Sequence, residues 1–411
     1  MKEILQLVIL FLAVCTTTAA QVEPAATGPS VPIPAGKLNY SINYAQTAEF
    51  GGGLGDWQMS TLSGLLDYSN VSDRLPFSLD FGGGYNWTIV GPSYGTGFFE
   101  HLVVSQGMVW RKWTASVDDN VSYTPEAPTF GFTGIPGIGE PITGPNSSPP
   151  TSNQSILTLN THVVDNTVNG NISHNLNHAL IFNLGGSYDL FRFPDGNGLA
   201  TNTAVANGGL RWRLDARNSL LGNYQFSQFT YPDLNFSFQT QSGLFGFERI
   251  WSRKITSNVS MGPEWTSSSN SMAVPSSVGM AANATVTYQF GHSSASLNYE
   301  RGVNGGAGYL LGAQTDTASA EYSRDFGRDL TIGVTGSYMR TAGLAGNGIT
   351  TGKYGGAQAT RRLGRYLTVF SSYSAIAQSS SAALPGNTLG QLIQVVGFGF
   401  GYSPRPTRLT H

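Results

Sequence analysis

The chain has 411 residues, with 22 Lys and Arg against 24 Asp and Glu, a formal net charge of −2 and a charged share of 11%, less than half the roughly 25% usual in soluble domains. That balance excludes the basic surface that nucleic acid requires, and it leaves few charges to keep a water-soluble fold of this size dispersed. The surface must instead be built from an aromatic share of 11% interleaved with 52 glycines and many Ser, Asn and Thr.

In chain order, Lys2, the apolar run from Ile4 to Val14 and the small residues Thr18-Ala19-Ala20 predict a cleaved secretory signal over residues 1–20. The run is too short for a membrane-spanning helix. Cys15 follows Val14, where a lipid-attachment signal has a small residue, so lipidation is not expected. It is the single cysteine, so disulfides hold nothing together in the mature protein. No later run is long and apolar enough for a membrane helix. Residues 21–36, rich in Pro and Ala, read as a flexible lead-in.

The segment Phe77–Ile89 then sets the pattern. Phe77, Leu79, Phe81, Tyr85, Trp87 and Ile89 share one parity, and Ser78, Asp80, Gly82, Asn86 and Thr88 take the other. A strand sends alternate side chains to opposite faces, so one wall is large and apolar and the other small and polar. The same alternation returns at Leu180–Leu190, Ala204–Leu214, Ala282–Phe290, Leu330–Tyr338 and Val396–Tyr402. No helical pattern is at hand to cover so many apolar faces, whereas lipid would.

Short turns with a basic residue recur at Arg74, Arg111, His178, Arg217, Arg253, His292, Arg328 and Arg365, spaced by 37, 67, 39, 36, 39, 36 and 37 residues. Each unit holds two strands of about ten residues, the length a tilted strand needs to cross a bilayer. A β-propeller has a similar period but must fit four short strands into it and bury both sheet faces. The fold predicted is therefore all-β, a transmembrane antiparallel up-and-down barrel of about 18 strands over residues 37–403, with 16 as the alternative if one hairpin is lost and 404–411 as a tail. The interval of 67 holds a long loop, 124–153, with seven prolines and the apolar side chains Phe130, Phe132, Ile135 and Ile138. Loops this long in compact proteins are functional or disordered.

Signal, alternating hairpins and closing strand together resemble Gram-negative outer-membrane β-barrels of the porin type, over nearly the whole mature chain. In Gly397-Phe398-Gly399-Phe400-Gly401-Tyr402, the residues Gly397, Phe400 and Tyr402 match the C-terminal assembly signal of such proteins, although this chain continues to His411. The resemblance implies a bacterial outer-membrane location, contact with membrane lipid and lipopolysaccharide, and engagement of the outer-membrane assembly machinery; trimer and monomer both stay open, a homotrimer being one that Ala204, Ala206 and Gly208 would permit. It also implies that the long loop folds inward as a constriction, with Glu126, Phe130, Phe132 and Glu140 as candidates to narrow the lumen; a loop lying over the rim is the alternative.

Catalytic motifs are weak. Gly91-Pro92-Ser93-Tyr94-Gly95 fits the spacing of a hydrolase nucleophile but lacks the strand-to-helix context that chemistry needs. His174 and His178 read as turn residues rather than metal ligands. No cofactor, metal or catalytic site is expected, and an outer-membrane phospholipase-like enzyme is the distant option. By parity, Asp80, Asn86, Asn183, Asp189, Arg211, Arg213, Asn258, Glu264, Asn298, Glu300 and Glu321 face the lumen. Their mixed signs predict at most weak cation preference. The function expected is a passive diffusion channel for small polar solutes; the alternative is a non-conducting structural or surface-binding barrel with a plugged lumen.

Overall fold

The computed structural model describes residues 36–51, 56–70, 72–91, 96–126, 161–196, 198–270, 272–308, 310–346, 348–381, 392–404 and 407–409. The signal segment, most of the lead-in and all but the first residues of the 124–153 loop lie outside them. The described chain forms β1 (Gly36–Phe50), β2 (Trp57–Asn70), β3 (Phe77–Val90), β4 (Gly97–Val109), β5 (Trp113–Glu126), β6 (Thr161–Asn175), β7 (Leu180–Arg192), β8 (Thr201–Arg213) and β9 (Asn218–Tyr231). It continues through β10 (Phe236–Ser252), β11 (Ile255–Ser268), β12 (Ser277–Phe290), β13 (Ser293–Asn304), β14 (Ala313–Phe326), β15 (Leu330–Gly343), β16 (Ile349–Leu363), β17 (Leu367–Ser380), β18 (Leu392–Tyr402) and a short β19 (Thr407–Leu409).

Each strand pairs antiparallel with its sequence neighbours, and β1 pairs with β18 to close the sheet, Ile42 opposite Tyr402 and Ala48 opposite Val396. The result is a closed barrel of eighteen strands, about 35 Å across by strand spacing and tilt. Closure satisfies the backbone of every barrel strand without a free edge, the condition for a sheet to sit in lipid. β19 adds to the wall outside this count. It pairs with Gly36–Leu38, so part of the 404–411 tail extends the seam below the end of β18.

At one end the connections are tight. Asp215 organises the turn between β8 and β9, accepting from the Arg217 amide (2.6 Å), the Asn218 amide (2.8 Å) and the Asn218 side chain (2.7 Å). These bonds hold its carboxyl below the usual aspartate range, the Asn218 side chain contributing most. Asn177 does the same for Ala179 and Leu180 in the turn after β6. At the other end the connections are longer. The pairing register sends Phe81, Tyr85, Leu184, Tyr188, Leu210, Trp212, Phe245 and Phe400 outward, where Phe245 is 76% exposed. Aromatics mark the short-turn end of this wall, with Arg249 over Trp251 (4.2 Å), Lys254 over Phe290 (3.4 Å) and Arg324 over Phe326 (5.0 Å). That is the girdle expected where headgroups meet hydrocarbon.

His174 belongs to β6 rather than to a turn: it sits outward, opposite and stacked on Trp113 at 3.9 Å, while His178 lies in the exposed turn beyond. The two rings therefore occupy different elements. Among the described residues no group of three or more His, Cys, Asp or Glu is placed to hold a metal ion.

Candidate functional site

Strand pairing fixes which side chains share the inner face, because directly paired residues of an antiparallel ladder point the same way. Asp80 and Asn86 of β3, Asn183 and Asp189 of β7, and Arg211 and Arg213 of β8 lie on that face. So do Asn258 and Glu264 of β11, Asn298 and Glu300 of β13, and Glu321 of β14. They do not form one cluster. Asp80 is 3.4 Å from His101 on β4, and Asn86 accepts from the Thr61 hydroxyl (2.7 Å). Arg211 reaches over β9 to Glu248 (2.6 Å), which stands opposite Asn258. Asp165 and Asp189 share the Thr167 hydroxyl at 3.4 and 3.0 Å. Glu264 accepts the Val303 amide (3.2 Å), reaching past Gly279, which has no side chain to block it.

The register also reveals inner-face charges that strand-by-strand parity had left out. Glu49, Asp67, Asp118, Asp165, Glu248 and Asp325 join Asp80, Asp189, Glu264, Glu300 and Glu321. Among the strand residues whose side chains are described, the inner face thus carries eleven carboxylates against four permanent cations, Lys37, Arg211, Arg213 and Arg362. Several arginines that balance the whole-chain charge sit outside instead: Arg301, Arg340 and Arg361 are all on the outer face. Among the described strand residues charge is therefore partitioned, with most acids inside and most bases outside.

At the long-loop end the inner face turns apolar. Phe229 and Tyr231 of β9 and Phe236 and Phe238 of β10 are buried there with Val274. The connection between β13 and β14, residues 305–312, leaves its own hairpin and folds onto them. Tyr231 donates its hydroxyl to the Gly305 carbonyl (2.9 Å) and accepts the Gly312 amide (2.8 Å), gripping the loop at both ends. The loop tip goes further, the Gly308 carbonyl accepting the Leu199 amide (2.8 Å) from the β7–β8 connection. β7 and β13 stand six strands apart in a ring of eighteen, so the two connections together bridge a third of the ring. Gly308 and Gly312 have φ of 80° and 74°. A Cβ at Gly308 would come within 2.3 Å of the Phe193 ring, and one at Gly312 within 2.8 Å of Phe238. Glycine is required at both on two counts.

A second inner patch, Met339, Ile376, Ile393 and Val395 with Tyr354 against them, is also buried, as are Trp57 and Met59 nearby. Trp57 donates its indole N–H to Glu49 (2.6 Å). The lumen is thus polar along its length but apolar at parts of the long-loop end.

The expected constriction candidates Phe130, Phe132 and Glu140 lie outside the described residues, and Glu126 is the last residue of β5. The inward-folded element that the structure does display, the described residues of 305–312 with Tyr231, was missed by sequence reasoning. Its traces were the Leu310-Leu311 pair inside a glycine-rich connection and the inward parity of Phe229, Tyr231, Phe236 and Phe238. Gly397, Phe400 and Tyr402 lie in β18, Phe400 and Tyr402 outward against Tyr44 and Ile42 of β1. Phe400 and Tyr44 have ring centroids 5.4 Å apart.

No protein-family model matches the chain, and no curated protein is similar to it in sequence. Solved structures align with the chain along most of its length at low identity. Pseudomonas aeruginosa OccK2 (OpdF) aligns with a TM-score of 0.48 and 13% identity over 90% of this chain and 98% of that one. Acinetobacter baumannii OccAB4 aligns at 0.48 and 11% over 92% and 100%, and Pseudomonas aeruginosa OccK5 (OpdH) at 0.47 and 12% over 92% and 100%. The closed barrel of eighteen antiparallel strands is read from the chain's own strand pairing.

Proposed function

We propose that this chain is an outer-membrane channel through which small polar solutes diffuse passively, with cations favoured over anions. The carrying observation is the closed eighteen-strand barrel whose inner face bears eleven described carboxylates against four cations. A barrel of this strand number leaves an aqueous lumen unless loops fill it. Acidic walls in a confined, low-dielectric passage concentrate cations and repel anions. In this reading the short turns face the periplasm and the long connections the outside. A cleaved signal over residues 1–20 delivers the chain, and the closing strand engages the assembly machinery through Gly397, Phe400 and Tyr402. No catalytic step and no cofactor belong to this function.

A plugged, non-conducting barrel is the second reading, favoured by the buried apolar inner patches around Tyr231 and Ile376. Refolded mature protein in a planar bilayer under a salt gradient separates the two. Steady unitary openings with a reversal potential on the cation side support the channel. Silence from protein shown to be inserted, or an anion-selective potential, overturns the proposal.

A further inference from the structure

Four charged side chains sit where a lipid-facing wall should carry none. Arg301 of β13, Asp316 of β14 and Arg340 of β15 are paired across adjacent strands on the outer face, and Lys353 of β16 points outward opposite Tyr338. Asp316 lies between the two arginines, 3.0 Å from Arg301 and 3.6 Å from Arg340, and accepts the Tyr299 hydroxyl (3.1 Å). The carboxylate is the covered member at 15% exposure, against 31% and 42% for the arginines. Lys353 is exposed and makes no hydrogen bond among the described residues. Two arginines flank one shielded acid, and Lys353 stands one strand beyond Arg340 and two residues lower, so the wall presents a net positive face to whatever lies against it.

The level of this face matters. Asp316 is three residues in from the long-loop end of its strand, about 8 Å below the rim at ordinary strand rise and tilt. A 14-residue strand spans about 35 Å on the same reckoning, against an apolar band of about 25 Å, so the cluster stands close to where hydrocarbon gives way to headgroups. Below it, β14 presents outward only Ala318 and Ala320 before Tyr322. Tyr299 and Leu297 stand on one side of these alanines, Tyr338 and Gly336 on the other. A shallow, small-floored trough thus runs down the wall from a cationic head.

We infer that this surface is a docking site for a phosphorylated glycolipid of the outer leaflet, its phosphate held by Arg301, Arg340 and Lys353 and one acyl chain lying over Ala318 and Ala320. The inference rests on the orientation adopted above, with the long connections outside. Arginine forks and lysine are the side chains that hold phosphate at an interface, and the positive head with an apolar trough beneath matches an anionic headgroup with its chains. A second copy of the barrel fits less well. The outward acids that could answer these cations, Glu100 and Asp119, are on β4 and β5. β5 and β14 stand nine strands apart in the ring of eighteen, on diametrically opposite walls. Contacts between opposite walls generate open rows and not a closed ring.

The test uses the mature protein refolded in a neutral detergent, with native mass spectrometry reading retained lipid. Bisphosphorylated lipid A is compared with the same lipid stripped of its phosphates. The wild type is expected to retain the phosphorylated form preferentially. Arg340→Gln with Lys353→Gln, which leaves the Arg301–Asp316 pair in place, should weaken it by about fivefold for each charge removed. Asp316→Asn should strengthen it, the opposite of what loss of a merely structural ion pair predicts. Equal retention of both lipids, or no effect of the double substitution, overturns the site. Self-association abolished by the double substitution assigns the patch to a second copy and overturns it equally. Single-channel conductance of the double variant should match the wild type, so failure here is separable from failure of the channel reading.

Discussion

Tyr231 joins two elements that backbone pairing leaves apart. Its hydroxyl is both donor and acceptor to the 305–312 strap, and replacing it with phenylalanine keeps the ring in its apolar setting while removing both bonds. A net hydrogen bond contributes about 1 kcal/mol, little against the stability of the whole barrel but enough to loosen one loop. Tyr231→Phe should therefore assemble normally and show higher mean conductance with more open-channel noise. Unchanged recordings would mean that Phe193 and Phe238 packing holds the strap without the hydroxyl. Asp215 offers a second test at this scale. Its pKa is lowered in the folded turn, so its contribution is present above the ordinary carboxylate range and is lost as pH falls through the folded value. Asp215→Ala should lower the melting temperature at neutral pH and have no effect in strong acid, where the wild-type carboxyl is protonated too.

At the scale of the strand, the apolar wall faces the bilayer and the cost of breaching it depends on depth. Phe245 lies at the middle of β10, outward and highly exposed. Phe245→Arg should cost about 2–4 kcal/mol in denaturant unfolding from lipid vesicles. The same substitution at Trp251, near the short-turn end, should cost far less. This wall was legible in the sequence because its period is two and its apolar residues are large: Phe77 to Ile89 and Leu180 to Leu190 can be read as strands without any partner. The strap was not legible. Which wall Gly305–Gly312 rests on depends on contacts between β9 and β13, and alternation within one strand says nothing of them. The acid excess was half visible. Glu264, Glu300 and Glu321 follow from parity, as does the outward side of Arg301 beside Glu300, but Glu49, Asp118 and Asp325 join the inner set only once the register is known.

For the whole molecule, segregating most acids within and most bases without turns a nearly neutral chain into a polarised tube. Neutralising Glu300 and Glu321 together, as Glu300→Gln with Glu321→Gln, removes two inner charges from adjacent strands. The reversal potential in a potassium chloride gradient should then move toward zero, with conductance at high salt little changed because screening already suppresses the wall charges there. An unmoved potential would place selectivity elsewhere, at the strap or in the long 124–153 connection.

The seam between β1 and β18 has a kinetic consequence. Apart from the short β1–β19 pairing that continues the same seam, each of the other ladders joins strands that are neighbours in sequence, so it can form as soon as a hairpin exists. The last one brings Ile42 to Tyr402, separated by nearly the whole chain, and the entropy of closing so long a loop is met only once. Until that moment the sheet has two bare edges, each a template for a wrong partner. Final closure should therefore be the slow step of insertion. Changes at Tyr44 and Phe400, whose tilted rings meet across the seam, should delay it more than equal changes in any interior hairpin.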